Sequence, residues 1–217
     1  MPSLLRKAVA EFIGVAVFVG AIVGVNYNAP VNPLAVPVLA GTLGLMVLLT
    51  SDTSGGHLNP AVTLFFAVKR QISWSNALAY FAAQIAGGVL GAFLGGAMHG
   101  NYNLQVNTAI IGKGELLSEV IATASLVWLI GYLASRDRGN IIPFVVAAWI
   151  FAAGSFTGSG AAANPAVTIG RMFSFAAPIG VEQGMYFILA QVLGVLVAVV
   201  ALMFVTPVAK AKKKAKK

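Results

Sequence analysis

Cysteine is missing altogether from the 217 residues. That removes disulfides, thiolate metal sites and cysteine nucleophiles from consideration, and it leaves the redox compartment unread. Charge is scarce too: Asp, Glu, Lys and Arg together make up 9% of the chain, and only six residues are acidic. A soluble domain carries about 25% charged residues, so a chain this poor in charge has little with which to face water. Histidine occurs only as His57 and His99, and no motif pairs carboxylates or offers a phosphate-binding glycine fingerprint. The residues read as those of a protein that is not an enzyme and uses no metal or cofactor.

What fills the chain instead is apolar. Hydrophobic residues are 59% of it and the mean hydropathy is +0.88, so lipid is the expected solvent for most of the surface. A helix needs about 20 mostly apolar residues to cross a bilayer. Such runs lie near residues 4–26, 33–50, 73–98, 115–135, 140–156 and 180–206. Arg6 and Lys7 before the first run suggest a leader, but Glu11 interrupts the run and no small-x-small cleavage site follows, so it reads as a retained span. Two further segments, His57 to Val68 and Asn164 to Phe175, are too short to cross and carry Asn-Pro at or near their starts. They read as re-entrant half-helices. The expected fold is all-α, one membrane domain over 1–209 with a basic tail at 210–217.

The formal charge of +8 might point to nucleic acid, but six of the 14 basic residues sit in that tail. A solvated terminus, weakly drawn to anionic headgroups, accounts for it without nucleic acid. With a cytoplasmic amino end, twelve basic residues fall inside and only Lys113 and Arg171 outside. That asymmetry predicts both termini in the cytoplasm.

The chain repeats itself. Glu11 pairs with Glu119, Asn59 with Asn164 and Gln84 with Gln191, at offsets of 108, 105 and 107 residues. Two halves follow, about 4–98 and 112–206, each of three spans and a half-helix. An odd number of spans inverts the second half, and inverted repeats put a functional site at their interface near the midplane. Asn59-Pro60-Ala61 and Asn164-Pro165-Ala166 supply it. Asn caps a helix through its side-chain oxygen, and Pro at the first helical position forgoes an N–H that had no partner anyway. The amide NH₂ groups of Asn59 and Asn164 are then expected to be free to donate into a lumen. Each half-helix start carries about +0.5 elementary charge, which repels cations and protons while accepting a neutral oxygen.

These residues resemble the aquaporin and aquaglyceroporin family over essentially the whole chain. The matches are Ala10-Glu11-Phe12, the run Ser54 to Thr63, Ala83-Gln84 with Gly87 and Gly88, and Asn164-Pro165-Ala166. The resemblance implies an aquaporin-like fold, a pore in each subunit for water or small neutral solutes, and a homotetramer. It also implies that Glu11 and Glu119 are buried acids accepting from the re-entrant backbone, and that His57 lines the cytoplasmic half of the pore, although a packed histidine fits as well. One departure stands out: the family's arginine after the second Asn-Pro-Ala is Val167 here. Counting from the motifs without gaps, the other outer constriction positions are Leu39, Ala152 and Ala161. Such a ring is small, apolar and without a donor, which weakens strict water selectivity. Arg171, one turn beyond Val167, is a candidate for restoring the charge or an ordinary headgroup-facing residue. Asp52 is either a loop bracket or a mouth-lining acid. Three functions remain open: a passive channel, a proton-coupled transporter carrying protons on Glu11 or Glu119, and a non-conducting scaffold.

Overall fold

The computed structural model describes residues 2–27, 32–108 and 112–205, so the basic run at 210–217 lies outside the described residues. Within them the regular structure is helical: α1 (Leu4–Asn26), α2 (Ala35–Ser54), α3 (Pro60–Val68), α4 (Trp74–Ala97), α5 (Lys113–Ala134), α6 (Ile142–Phe156), α7 (Pro165–Met172) and α8 (Val181–Val205), with a single 3-10 turn before α6. Six of these are long and apolar enough to cross a membrane, the 3-10 turn counting with α6. The nine and eight residues of α3 and α7 reach only about 12–14 Å at 1.5 Å per residue, less than half of a bilayer core about 30 Å thick.

Local chemistry sets the ends. Ser3 and Ser73 accept from Arg6 N and Asn76 N to cap α1 and α4. α2 runs four residues past its expected end and stops where Gly55 takes a φ of 92°, a left-handed C-cap that glycine adopts without strain. Residues 57–59 and 160–164 approach as non-helical chain before Pro60 and Pro165 open the first turns; α3 is shorter than expected for that reason, and α7 because it stops at Met172 with Phe173 as its C-cap.

Packing follows the repeat. α1 lies chiefly on α4 and α5 on α8, while each half-helix also packs on the long helix of the other half, α7 on α4 and α3 on α8. Glycines make the approaches close. A Cβ on Gly91 would stand 2.5 Å from Ala16 O and one on Gly95 2.9 Å from Gly20 O, so this stripe of α4 meets α1 backbone to backbone. Gly88, on another face, meets α7 in the same way: a Cβ on Gly170 would lie 2.5 Å from Gly88 O.

The distribution of polarity suits lipid rather than water. Leu189, Leu193, Leu196 and Val200 of α8, and Leu45 and Leu49 of α2, are exposed, whereas Glu11, Gln84, Glu119 and Gln191 are wholly buried. The chain is an integral multi-pass membrane protein whose polar groups are gathered at its centre.

Candidate functional site

The two approach segments are held by the two buried acids. Glu11 accepts from His57 N at 3.0 Å, Leu58 N at 2.6 Å, Ser54 Oγ at 2.6 Å and Gln84 Nε2 at 2.7 Å. Glu119 accepts from Ala162 N at 3.0 Å, Ala163 N at 2.8 Å and Gln191 Nε2 at 2.6 Å. Non-helical backbone at membrane depth has no water behind it, so each acid supplies acceptors that its loop would otherwise lack. The same bonds hold unfavourable backbone. Leu58 and Ala163, each directly before a motif asparagine, have φ of 47° and 43°, a region that costs a side-chain-bearing residue about 1–3 kcal/mol. Because a trans peptide sets N–H and the preceding C=O on opposite sides, the amides aimed at Glu11 turn the Gly56 and His57 carbonyls away from it. Gly56 and His57 line a chamber there.

At the motifs, Asn59 Oδ1 accepts from Ala61 N at 2.8 Å and Asn164 Oδ1 from Ala166 N at 3.0 Å. Each asparagine therefore caps its own half-helix. Neither amide is wholly free, although the sequence pattern alone predicts that both are. Asn59 Nδ2 donates to Ala163 O at 2.7 Å and Asn164 Nδ2 to Leu58 O at 2.8 Å, so one N–H of each is committed across the repeat interface and one remains. The reason is the positive φ before each asparagine, which brings that carbonyl within reach of the opposite side chain. The starts of α3 and α7 are thus tied to each other directly.

Two hollows flank this junction. A cavity of about 540 Å³ is lined by Leu39, Gly154, Gly160 and Arg171 among others, with no acidic side chain in its wall. A narrow chamber of about 40 Å³ on the other side is lined by His57, Asn59, Val62, Phe66 and Asn164. A site needs about 10–15 Å³ of such space to hold one water, so the chamber has room for water. His57 stacks on Phe66 at 4.6 Å and meets Tyr80 edge-on at 5.4 Å.

The four ring candidates separate. Leu39 is in the wall of the larger cavity, while Val167 and Ala161, 1% and 5% exposed, line neither hollow. Ala152 is exposed and lines neither; the α6 residue in the wall is Gly154. Counting without gaps from Asn164 thus reaches a residue two positions before the one that lines the cavity. The inward face of α6 follows Pro143, Val146, Ile150 and Ala153, and Ala152 falls about 100° off it at 3.6 residues per turn. Arg171 enters the larger cavity and donates from Nε to Ala177 O at 2.7 Å, while Asp52 is exposed at the end of α2.

Sequence reasoning passed over the polar links between acids and half-helices. Gln84 Nε2 also donates to Thr63 Oγ1 at 2.9 Å, and Gln191 Nε2 to Thr168 Oγ1 at 3.0 Å. The signal was present, since the glutamines are repeat markers and both motifs continue as Val-Thr.

Known proteins agree with this architecture. The family model described as Major intrinsic protein matches residues 1–159. The aquaglyceroporin AqpS of Rhizobium meliloti is 33% identical over 207 residues, which cover 90% of this chain and 88% of that relative. The aquaporin TIP1-2 of Zea mays is 34% identical over 194 residues, 78% of this chain and 74% of its own. An X-ray structure of the aquaglyceroporin from Plasmodium falciparum is similar at a TM-score of 0.69 and 24% identity, covering 93% of this chain and 95% of that one. That last likeness bears on the fold alone.

Proposed function

This chain belongs to the major intrinsic protein family of membrane channels for water and small solutes, and from that premise we propose a passive path for neutral solutes running from the Arg171 cavity past Asn59 and Asn164 to the His57 chamber. The observation that carries it is the reciprocal donation of the two asparagines to Ala163 O and Leu58 O. It sets two half-helix starts, each worth about +0.5 charge, at one point on the path. A cation or migrating proton is repelled there, and a neutral oxygen is received by the remaining Asn N–H groups. Carbonyls of the approach segments supply the acceptors.

Selectivity follows from what surrounds the larger cavity. Leu39 and Gly154 in its wall offer no donor and little bulk, and Val167 follows the second motif in place of an arginine. Solutes larger than water, of the size of glycerol or urea, pass there. Arg171 stands one turn further out in a wall without acids, and we assign it discrimination against cations and among solutes at the mouth. The domain over 1–209, cytoplasmic termini supported by the basic-residue asymmetry, and assembly as a homotetramer complete the proposal.

Stopped-flow light scattering of reconstituted vesicles tests it with water, glycerol and urea. The expected result is solute flux well above empty vesicles with no solute-driven pH change. Swelling equal to that of empty vesicles refutes conduction and leaves the scaffold reading. A pH change coupled to solute entry refutes the passive path in favour of a proton-coupled carrier. Arg171→Leu should alter discrimination among the solutes, and an unchanged profile rejects its role.

A further inference from the structure

The hydrogen bonds behind His57 form a chain that can be followed proton by proton from Glu11 to the ring. Ser54 Oγ–H, two backbone N–H groups and Gln84 Nε2 are all donors, so the Glu11 carboxylate acts purely as an acceptor. Gln84 must therefore present NH₂ to Glu11; the flipped amide would press Oε1 against the carboxylate. The same NH₂ spends its second proton on Thr63 Oγ1 at 2.9 Å, leaving Gln84 Oε1 buried without a partner. Thr63 is thereby an acceptor from one side and has its own hydroxyl proton to place. Helical threonines often give that proton to the carbonyl four residues back, as Thr50 does to Met46 O at 2.7 Å. Thr63 makes no such bond among the described residues, and its remaining partner is His57 Nδ1 at 3.1 Å.

From this we infer that Glu11, Gln84 and Thr63 act as positioning residues that hold His57 in the tautomer with a bare Nδ1 and a protonated Nε2, so that the chamber presents a ring N–H donor to the acceptor oxygen of a neutral solute. Nδ1 receives the Thr63 proton, so the ring's single proton resides on Nε2. Stacking on Phe66 and the edge of Tyr80 hold the ring plane. Nε2 has no protein partner among the described residues and, unlike Gln84 Oε1, is not sealed from a water-sized probe; His57 is part of the chamber wall. The second half of the repeat carries the same links, Glu119 to Gln191 to Thr168, but Ala162 stands where His57 would be. The ring donor thus belongs to one side of the junction only. Its meeting with solute rests on the channel reading, whereas the tautomer itself does not.

The test is ¹⁵N solid-state NMR of the full chain, labelled at the histidine rings and reconstituted in bilayers at neutral pH. With two histidines in the sequence, His99→Gln assigns the signals. The expected His57 spectrum is one species, Nδ1 unprotonated and Nε2 protonated. Thr63→Val should convert it to a mixture of both tautomers, and Thr63→Ser should restore the single species. A protonated Nδ1 in the wild type overturns the inference before any variant is made, as does a Thr63→Val spectrum equal to the wild type. Should Thr63→Val not fold, Thr63→Ser decides: a mixed spectrum there overturns the inference and a single species upholds it. Solute flux measured on the same vesicles keeps a failure of conduction distinct from a failure of the tautomer.

Discussion

Replacing one buried carboxylate by its amide, as Glu11→Gln, should cost the protein more than any surface change, and the size of the effect can be worked from the bonds. In place of two acceptor oxygens the variant has one oxygen and one NH₂. Ser54 Oγ can accept from that NH₂ and donate to Thr50 O at 3.3 Å instead, and Gln84 can turn its unpartnered Oε1 toward it, so whichever way the amide turns one backbone N–H, of His57 or of Leu58, is left facing a donor. A buried donor left unsatisfied costs about 1–3 kcal/mol, which is the size of the expected loss. Relief from burying a charge offsets part of it. Leu58, at a φ of 47°, loses its tie, so the carbonyl that receives Asn164 shifts and solute flux falls as well. The matching change Glu119→Gln, with its NH₂ turned to Ala162 N, likewise strands one backbone donor. It should therefore cost about the same, about 1–3 kcal/mol. Thermal unfolding in detergent compares the two, and stopped-flow scattering on vesicles gives the flux. An unfolding temperature and flux for Glu11→Gln equal to the wild type would refute the account of the acid as the brace of the approach segment.

Three further outcomes are expected. Val167→Arg adds bulk and donors on α7 one turn before Arg171, and glycerol flux should drop toward that of empty vesicles while water flow persists; unchanged glycerol flux in stopped-flow scattering counts against a constriction at this position. Asn164→Asp keeps the cap on Ala166 N but replaces the donation to Leu58 O with a negative charge. A charge pair at about 4 Å is worth about 4 kcal/mol at an effective dielectric of about 20, so cation or proton leak in a vesicle dye assay should rise by at least about tenfold. Gly170→Ala forces a Cβ to within 2.5 Å of Gly88 O and should destabilise by about 1–3 kcal/mol. Gly114→Ala, in α5 with no atom within 4 Å of the added carbon, should be neutral or stabilise by up to about 1 kcal/mol; melting curves of the two separate packing from propensity.

Much of this protein was legible in one dimension because the physics behind it is local or periodic. The length and apolarity of six runs fix spanning helices, Asn-Pro fixes where a half-helix begins, and repeated markers such as Glu11 and Glu119 give the two halves. What composition and spacing could not give is register across space. Ala152 was expected in the wall where Gly154 stands, because the turn between α6 and α7 sets which face of α6 looks inward, and ungapped counting carries no information about a loop's path. Likewise the asparagine amides looked free until folding brought Ala163 O and Leu58 O to meet them. Those carbonyls lie about a hundred residues away in the chain. Their orientation follows from a left-handed φ that the buried acids hold in place, and only the packed helices bring the acids there.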